Sequence, residues 1–192
     1  KAGTEIVAHH TLYGCTYSLI TNWLPRFGIT TRFVDLRDER SFKAAINNRT
    51  RVIYFETPVN PTPDLIDIAL VRRWMDEARY GEEEKDRLLM IVDNTFATPF
   101  CQRPLELGAD FVVHSLTKDI GGFGTDMGGA GVGALQNHAP PLMYRKNFGG
   151  GLFSKSAWAI LGYGLPPLAT RVGNQQKCAK RVAPVFERPP KN

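Results

Sequence analysis

The run Leu88-Leu89-Met90-Ile91-Val92, closed by Asp93, and its echo Phe111-Val112-Val113 after Asp110 are short, apolar and uninterrupted. A strand with one face in water alternates polar and apolar residues, so unbroken runs predict strands covered on both faces. That pattern belongs to parallel sheets with helices on either side, and the rest of the chain alternates to match. Strand patterns fall at residues 4–9, 31–36, 51–56, 88–92, 110–113 and 130–135. Between the first two, Leu19, Ile20, Trp23, Leu24 and Phe27 repeat at helical spacing until Pro25 kinks or ends the helix. Asp38 is placed to cap a short helix carrying Phe42, Ala45 and Ile46. Residues 57–63 read as a rigid, extended Pro-rich loop. Asp64 is expected to start a longer helix with Leu65, Ile68, Ala69, Val71, Trp74, Met75 and Ala78 as its packing stripe, ended by Gly81 and followed by a charged loop at 82–87. Residues 158–164 and 168–186 also carry helical patterns.

Composition narrows the class. A chain of 192 residues with 43% hydrophobic content can bury one substantial domain. Cys15, Cys101 and Cys178 are odd in number and far apart, which suggests neither a disulfide framework nor a paired metal motif and fits a reducing cytoplasm. The net charge of +5 is scattered among acids, as in Glu82-Glu83-Glu84-Lys85-Asp86-Arg87, so a solvated surface is expected rather than a nucleic-acid partner. The basic stretch 177–191 reads as a helix face followed by a frayed Pro189-Pro190 tail. No apolar run approaches the roughly 20 residues that span a bilayer, and no secretory hydrophobic region opens the chain, so no membrane partner is expected.

Lys118, in His114-Ser115-Leu116-Thr117-Lys118, and Asp93 each follow a buried strand. Alone, such a lysine is as readily a solvated residue at a loop entrance, and such an aspartate as readily a helix cap. Together, an amine flanked by two hydroxyls and a carboxylate one crossover away supply an imine-forming nitrogen, phosphate donors and an anion for a pyridine nitrogen. His9-His10 invites a metal reading, but adjacent strand residues face opposite ways and no partner stands at ligand spacing, so no metal is expected.

Three segments carry a resemblance: Val92-Asp93-Asn94-Thr95-Phe96-Ala97-Thr98-Pro99, then Gln102-Arg103-Pro104-Leu105-Glu106-Leu107-Gly108-Ala109-Asp110, then His114-Ser115-Leu116-Thr117-Lys118. With Leu12-Tyr13-Gly14-Cys15-Thr16 and Glu56-Thr57-Pro58-Val59-Asn60-Pro61 in order before them, the chain resembles the cysteine and methionine metabolism family of pyridoxal phosphate enzymes over residues 5–171. The resemblance implies an α/β fold: a mostly parallel seven-stranded sheet with helices on both faces, the large domain of the aspartate aminotransferase-like fold type I. Its last strand would run antiparallel. Residues 1–172 would be the central part of that domain and 173–192 an exit helix and tail toward a further domain.

The same resemblance implies pyridoxal 5'-phosphate as cofactor and a small amino acid as substrate, in a cytoplasmic homo-oligomer built as a dimer of dimers. Lys118 would hold the cofactor through an imine and then carry protons between substrate carbons. Asp93 would bond the ring nitrogen, Asn60 the phenolic oxygen, and Ser115 and Thr117 the phosphate. Tyr13 would stack on the ring and protonate the leaving group at the substrate γ position. Apart from the family, Ser115 and Thr117 can instead satisfy loop backbone groups, Tyr13 can simply pack, and Asn60 can start a turn. Cys15 stands where glycine is common, and cysteine there resembles methionine γ-lyase, where it faces substrate; its plain alternative is a small buried filler.

Departures accompany the match. Phe123 replaces a histidine in Gly121-Gly122-Phe123-Gly124-Thr125-Asp126, which also has one added residue; Lys155 stands for proline, Tyr163 for arginine, and Pro166-Pro167 interrupts a helix start. Family members extend further at both ends. There they hold a Gly-rich phosphate turn, a tyrosine and arginine lent to a neighbouring subunit, and an arginine for the substrate carboxylate. The expected activity is α,γ-elimination on methionine or a related substrate. The alternatives are γ-replacement, as in O-acetylhomoserine sulfhydrylase or cystathionine γ-synthase, or a truncated domain without turnover.

Overall fold

The computed structural model describes residues 1–78 and 87–186, which fall into two compact units. The first unit comprises residues 1–114 and 130–150, the second 115–129 and 151–192. Gly81, the charged loop at 82–87 apart from Arg87, and the tail beyond 186 lie outside the described residues.

The first unit is built on one sheet. Its strands are β1 (Glu5–His9), β2 (Thr30–Val34), β3 (Thr50–Glu56), β4 (Leu89–Asp93), β5 (Phe111–Ser115) and β6 (Gly129–Gly133), in the order β2-β1-β3-β4-β5-β6. The pairs β1–β2, β1–β3, β3–β4 and β4–β5 are all parallel. Six strands are found among the described residues where seven were expected; the chain carries only the six strand patterns named above. From β1 the chain steps outward to β2 and then crosses back to β3 on the other side of β1. Strand order therefore reverses between β1 and β3, and such a switch point opens a crevice beyond the strands' carboxyl ends.

One face of the sheet packs on α2 (Glu39–Ala45) and α3 (Ile68–Ala78). Val7, Ile53, Phe55, Met90 and Val92 point into this core against Phe42, Val71, Trp74 and Met75, with the rings of Phe42 and Trp74 5.7 Å apart. The other face is covered by a smaller cluster of Ala8, Leu12 and Ile20 with Ile6, Leu24, Phe33 and Tyr54 against it. β4 and β5 alternate between buried and half-buried residues, so the unbroken apolar runs overstated how evenly their two faces are covered.

Asp38 caps α2 as expected, its carboxylate accepting the Arg40 and Ser41 N–H groups at 3.3 and 3.0 Å. Asp64 does not start α3. That helix begins at Ile68, and Asp67 accepts the Leu70 N–H at 2.9 Å, while Leu65 is 71% exposed and Asp64 pairs with Arg37 and the Thr62 hydroxyl. After β1 the helical spacing resolves into α1 (Gly14–Ser18), a π-helical turn (Leu19–Trp23) and a 3-10 turn (Leu24–Phe27) with Pro25 in its first positions. Of its apolar residues Ile20 is buried, whereas Leu19, Trp23 and Phe27 are exposed, so most of the predicted stripe is not a core face. The first unit also holds α4 (Thr98–Cys101) and α5 (Ala139–Phe148).

The second unit contains the turn after β5, then α6 (Ser154–Ala159), a π-helical turn (Ile160–Gly164) and α7 (Leu168–Phe186). α7 has the predicted bounds. The pattern at 158–164 proves to be the end of α6 and the π-helical turn, with Trp158 exposed. Ile120, Ile160, Leu168 and Val172 form its buried cluster, with Leu116 and Leu152 packed on it.

Candidate cofactor site

The carboxyl edge of the sheet around the switch point is furnished from three strand ends. Tyr13 follows β1, Asn60 follows β3, and Asp93 is the last residue of β4. Parallel pairing places Glu56 opposite Asp93, and the 2.0-residue period of a strand puts Tyr54 on the same face as both. Glu56, only 5% exposed, accepts the Tyr13 N–H at 2.6 Å and a backbone N–H from Asn60. The first unit thus brings Tyr13, Asn60 and Asp93 to one edge.

Local bonds hold each of these segments. Asp93 Oδ1 accepts the Thr95 N–H at 2.9 Å, and the Tyr54 hydroxyl bonds both Asp93 and Thr16. Burial, then the Asp93 charge, pushes the Tyr54 phenol far up, so it stays a neutral donor. Burial also raises the Glu56 carboxyl, the Tyr13 N–H bond opposes that rise, and the charge of Asp93 adds to it. The loop after β3 bends through cis bonds at Thr57–Pro58 and Asn60–Pro61 rather than running extended, and it is pinned by Ile66 N–H to Thr57 Oγ1 at 3.1 Å and Val59 N–H to the Asp64 carbonyl at 2.9 Å. The loop after β4 is tied back by the buried Asn94, whose Oδ1 accepts from Gln102 Nε2 at 2.8 Å while that same amide reaches the Thr57 carbonyl at 3.1 Å.

Tyr13 leaves its ring half exposed, and its hydroxyl hydrogen-bonds the side chain of Cys15, which raises the phenol pKa. Cys15 is exposed, so the reading of it as a buried filler is overturned. His114 is buried with its Nδ1 unpartnered; burial lowers its pKa and the Asp93 charge works against that.

In the second unit Ser115, Thr117 and Lys118 lie on or directly after the end of β5. Lys118 has φ −90° and ψ −133°, a break within the π-helical turn Leu116–Ile120, and its side chain is exposed. Thr117 Oγ1 accepts the Gly128 N–H at 3.2 Å, and Leu116 N–H reaches the Gly128 carbonyl at 2.9 Å. The backbone after Lys118 passes so close to Gly164 that a Cβ there would lie 2.5 Å from the Gly121 oxygen and 2.6 Å from that of Ile120. Arg171 ties the same point, donating to the Gly164 carbonyl at 2.6 Å.

His9 and His10 do not face opposite ways as expected of adjacent strand residues. β1 ends at His9, so His10 is free of strand alternation; the two rings lie 4.2 Å apart and Asp35 joins them in a cluster of ligand type. The Asp35 oxygens and His9 Nδ1 already have partners, whereas the buried His9 Nε2 has none. Arg37 binds both Asp35 oxygens at 2.9 and 3.0 Å, and His9 Nδ1 accepts the Leu36 N–H at 3.2 Å.

Glu56, Tyr54 and Thr16 were not singled out from sequence. Glu56 did carry a signal, as a carboxylate ending an apolar strand, the same signal that drew attention to Asp93.

The donor set in the first unit fits a flat, substituted pyridine: a half-exposed aromatic ring, an amide, and a half-buried carboxylate fixed by backbone and phenol donors. An open parallel sheet with such groups at its switch point defines an α/β protein of the cofactor-binding class. The chain belongs to the Cys/Met metabolism family of PLP-dependent enzymes, whose pattern it matches over residues 1–191. Family membership implies pyridoxal 5'-phosphate as the cofactor. The chain is 37% identical to the L-methionine gamma-lyase of Treponema denticola over 191 residues, 99% of this chain and 46% of that protein. It is 44% identical to the O-acetyl-L-homoserine sulfhydrylase of Leptospira meyeri over 129 residues, 67% of this chain and 27% of the relative. The crystal structure of cystathionine gamma-lyase from Lactobacillus plantarum, complexed with L-serine, superposes with a TM-score of 0.89 at 34% identity, covering 99% of this chain and 48% of that one. The sheet is therefore that of fold type I. The chain spans about half the length of the relatives it matches.

Proposed function

We propose that this chain carries the cofactor-binding part of a carbon–sulfur lyase that splits methionine or a related sulfur amino acid by α,γ-elimination. The observation that carries this reading is the gathering of Tyr13, Asn60 and Asp93 at the carboxyl ends of β1, β3 and β4. Bound there, pyridoxal phosphate supplies an electron sink next to the substrate's reacting carbon. Asp93 holds a proton at the ring nitrogen, and the Asn60 amide donates to the phenolic oxygen. Ser115 and Thr117 donate to the phosphate. Lys118 would hold the cofactor through its amine, and the same amine would carry protons between the substrate's α and β carbons. Tyr13 stacks on the ring, and its hydroxyl delivers the proton that leaves with sulfur. Cys15 holds that hydroxyl by a hydrogen bond and leaves its thiol exposed, as a residue facing the substrate would. The overall change converts methionine and water to methanethiol, 2-oxobutanoate and ammonia. The protein acts as a homo-oligomer in the cytoplasm. Among the described residues no helix is long and apolar enough to cross a membrane.

A second reading is γ-replacement, favoured by the 44% identity to the sulfhydrylase. It uses the same cofactor residues and differs in the nucleophile that adds. Borohydride reduction of the chain incubated with pyridoxal phosphate is expected to fix the cofactor mass on Lys118, and Lys118→Ala is expected to abolish it; labelling spread over surface lysines would overturn the assignment. Product analysis with methionine alone, then with O-acetylhomoserine plus sulfide, separates the two reactions.

A further inference from the structure

We propose that Glu56 is a positioning residue for this site, a buried carboxylate that ties the loop bearing Tyr13 and the loop bearing Asn60 to the strand end bearing Asp93. The inference rests on the cofactor reading above for its purpose, though its geometry does not. Glu56 sits 5% exposed at the end of β3, in register with Asp93. Its Oε1 accepts the Tyr13 N–H at 2.6 Å, and its carboxylate also takes a backbone N–H from Asn60. The two loops it joins come from the two strands that flank the switch point.

Chemistry sets this group apart from an ordinary core residue. A buried carboxylate is costly unless a cation or a full set of donors compensates it. Among the described residues, two backbone N–H groups favour the charge of Glu56 and Asp93 opposes it, with no cation to offset that. Two neighbouring carboxylates at one strand edge are a poor choice for stability alone. They are a sensible choice where one must remain beside a protonated ring nitrogen while the other fixes the backbone that brings an aromatic ring and an amide to the same ring. Glutamate does this because one carboxylate presents acceptors in two directions, whereas an amide side chain turns a donor toward one of the two N–H groups.

The test uses the chain with Glu56→Gln and Glu56→Ala, read in two ways. Without cofactor, amide hydrogen exchange at Tyr13 and Asn60 is expected to quicken about tenfold or more in Glu56→Ala, and at one of the two in Glu56→Gln, while amides of β3 and β4 keep their protection. With pyridoxal phosphate, affinity is expected to fall several-fold in Glu56→Gln and further in Glu56→Ala, although Glu56→Gln unfolds at the same temperature as the parent or higher. Loss of affinity without loss of stability separates positioning from a merely structural role. Unchanged exchange at both amides in both variants would overturn the tether. Parallel loss of stability and affinity in Glu56→Gln would reduce Glu56 to a structural residue and overturn the proposal. If the parent chain takes no cofactor on Lys118, the functional reading fails and the cofactor role of Glu56 with it, while the exchange result still stands on its own.

Discussion

In the first unit, the groups assigned to the cofactor ring stand at strand ends whose other residues, Ile53, Phe55, Met90 and Val92, are wholly buried against α2 and α3. In the second, the turn that carries Lys118 rests on a cluster of Ile120, Ile160, Leu168 and Val172 and on close backbone contact at Gly164. The difference is one of mechanism. Apolar packing fixes an element by many small contacts that add up over large side chains, whereas a backbone crossing depends on the absence of a single side chain. Residues that must only present a group can stand on the first kind of support. A residue whose backbone leaves the helical region, as Lys118 does, needs the second.

The largest effect is expected where packing is deepest. Phe55→Ala removes a fully buried ring from near the carboxyl end of β3 and should cost about 3–5 kcal/mol in urea unfolding. A loss under about 1 kcal/mol would mean that the first unit's core is not what holds its strand ends, and the contrast would fail.

Next comes the crossing at Gly164. In Gly164→Ala the new methyl meets the Gly121 and Ile120 oxygens, both main-chain atoms that cannot rotate aside, so a cost of about 2–3 kcal/mol is expected. Exchange should quicken at the Gly121 and Gly122 amides, which donate to the Leu116 and Lys118 carbonyls at 2.9 Å. Unchanged protection there would show that the turn is held by something other than this contact.

These two supports were unequally legible in the sequence. The strand runs, the Asp38 cap and α7 could be read because periodicity and capping are local. So could the residues placed at strand ends, since a carboxylate or lysine after an apolar run already marks a sheet edge. The start of α3 was misplaced at Asp64 because two aspartates, Asp64 and Asp67, stand before the helix, and only burial shows that Leu65 lies outside the packed stripe. Glu56 went unassigned because its role depends on two loops meeting it from separate strands, information that no local window holds. The need for Gly164 was equally hidden: a glycine near a helix reads as a punctuation mark until the chain segment it touches is known.

A third effect is expected at the carboxyl end of β1, where His9 closes the strand just before the segment that carries Tyr13. His9 is wholly buried, and its pKa is lowered from 6.5 to about 4, chiefly by burial and then by His10, with Asp35 and Asp64 raising it and Arg37 lowering it. A depressed folded-state pKa means that the unfolded chain binds the proton first. The stability contributed by neutral His9 is therefore intact above pH 6.5 and is lost as pH falls from 6.5 toward about 4. His9→Gln should flatten that limb by roughly 2 kcal/mol, measured as urea midpoints against pH. His114, also depressed by burial, keeps part of the slope, and Asp35, held down to about 2 by Arg37, acts only at lower pH. An identical acid limb in the variant would show that His9 takes its proton without unfolding.

The smallest effect sharpens the comparison most, because it divides the second unit's support into its parts. Arg171 donates to the Gly164 carbonyl at 2.6 Å and lies 3.5 Å from that of Ile120, yet its buried Nε finds no partner. The bonds to carbonyls stabilise, while the orphaned nitrogen costs part of that gain. Arg171→Met keeps the apolar stem and removes both, so a net loss of only about 1 kcal/mol is expected, with modestly faster exchange at Gly121 and Gly122. If the methionine variant matches the parent, the guanidinium contributes nothing net, and the turn bearing Lys118 is held by the glycine crossing and the apolar cluster alone. If it loses as much as Gly164→Ala, the crossing is not self-supporting, and a single cation holds the backbone next to the lysine.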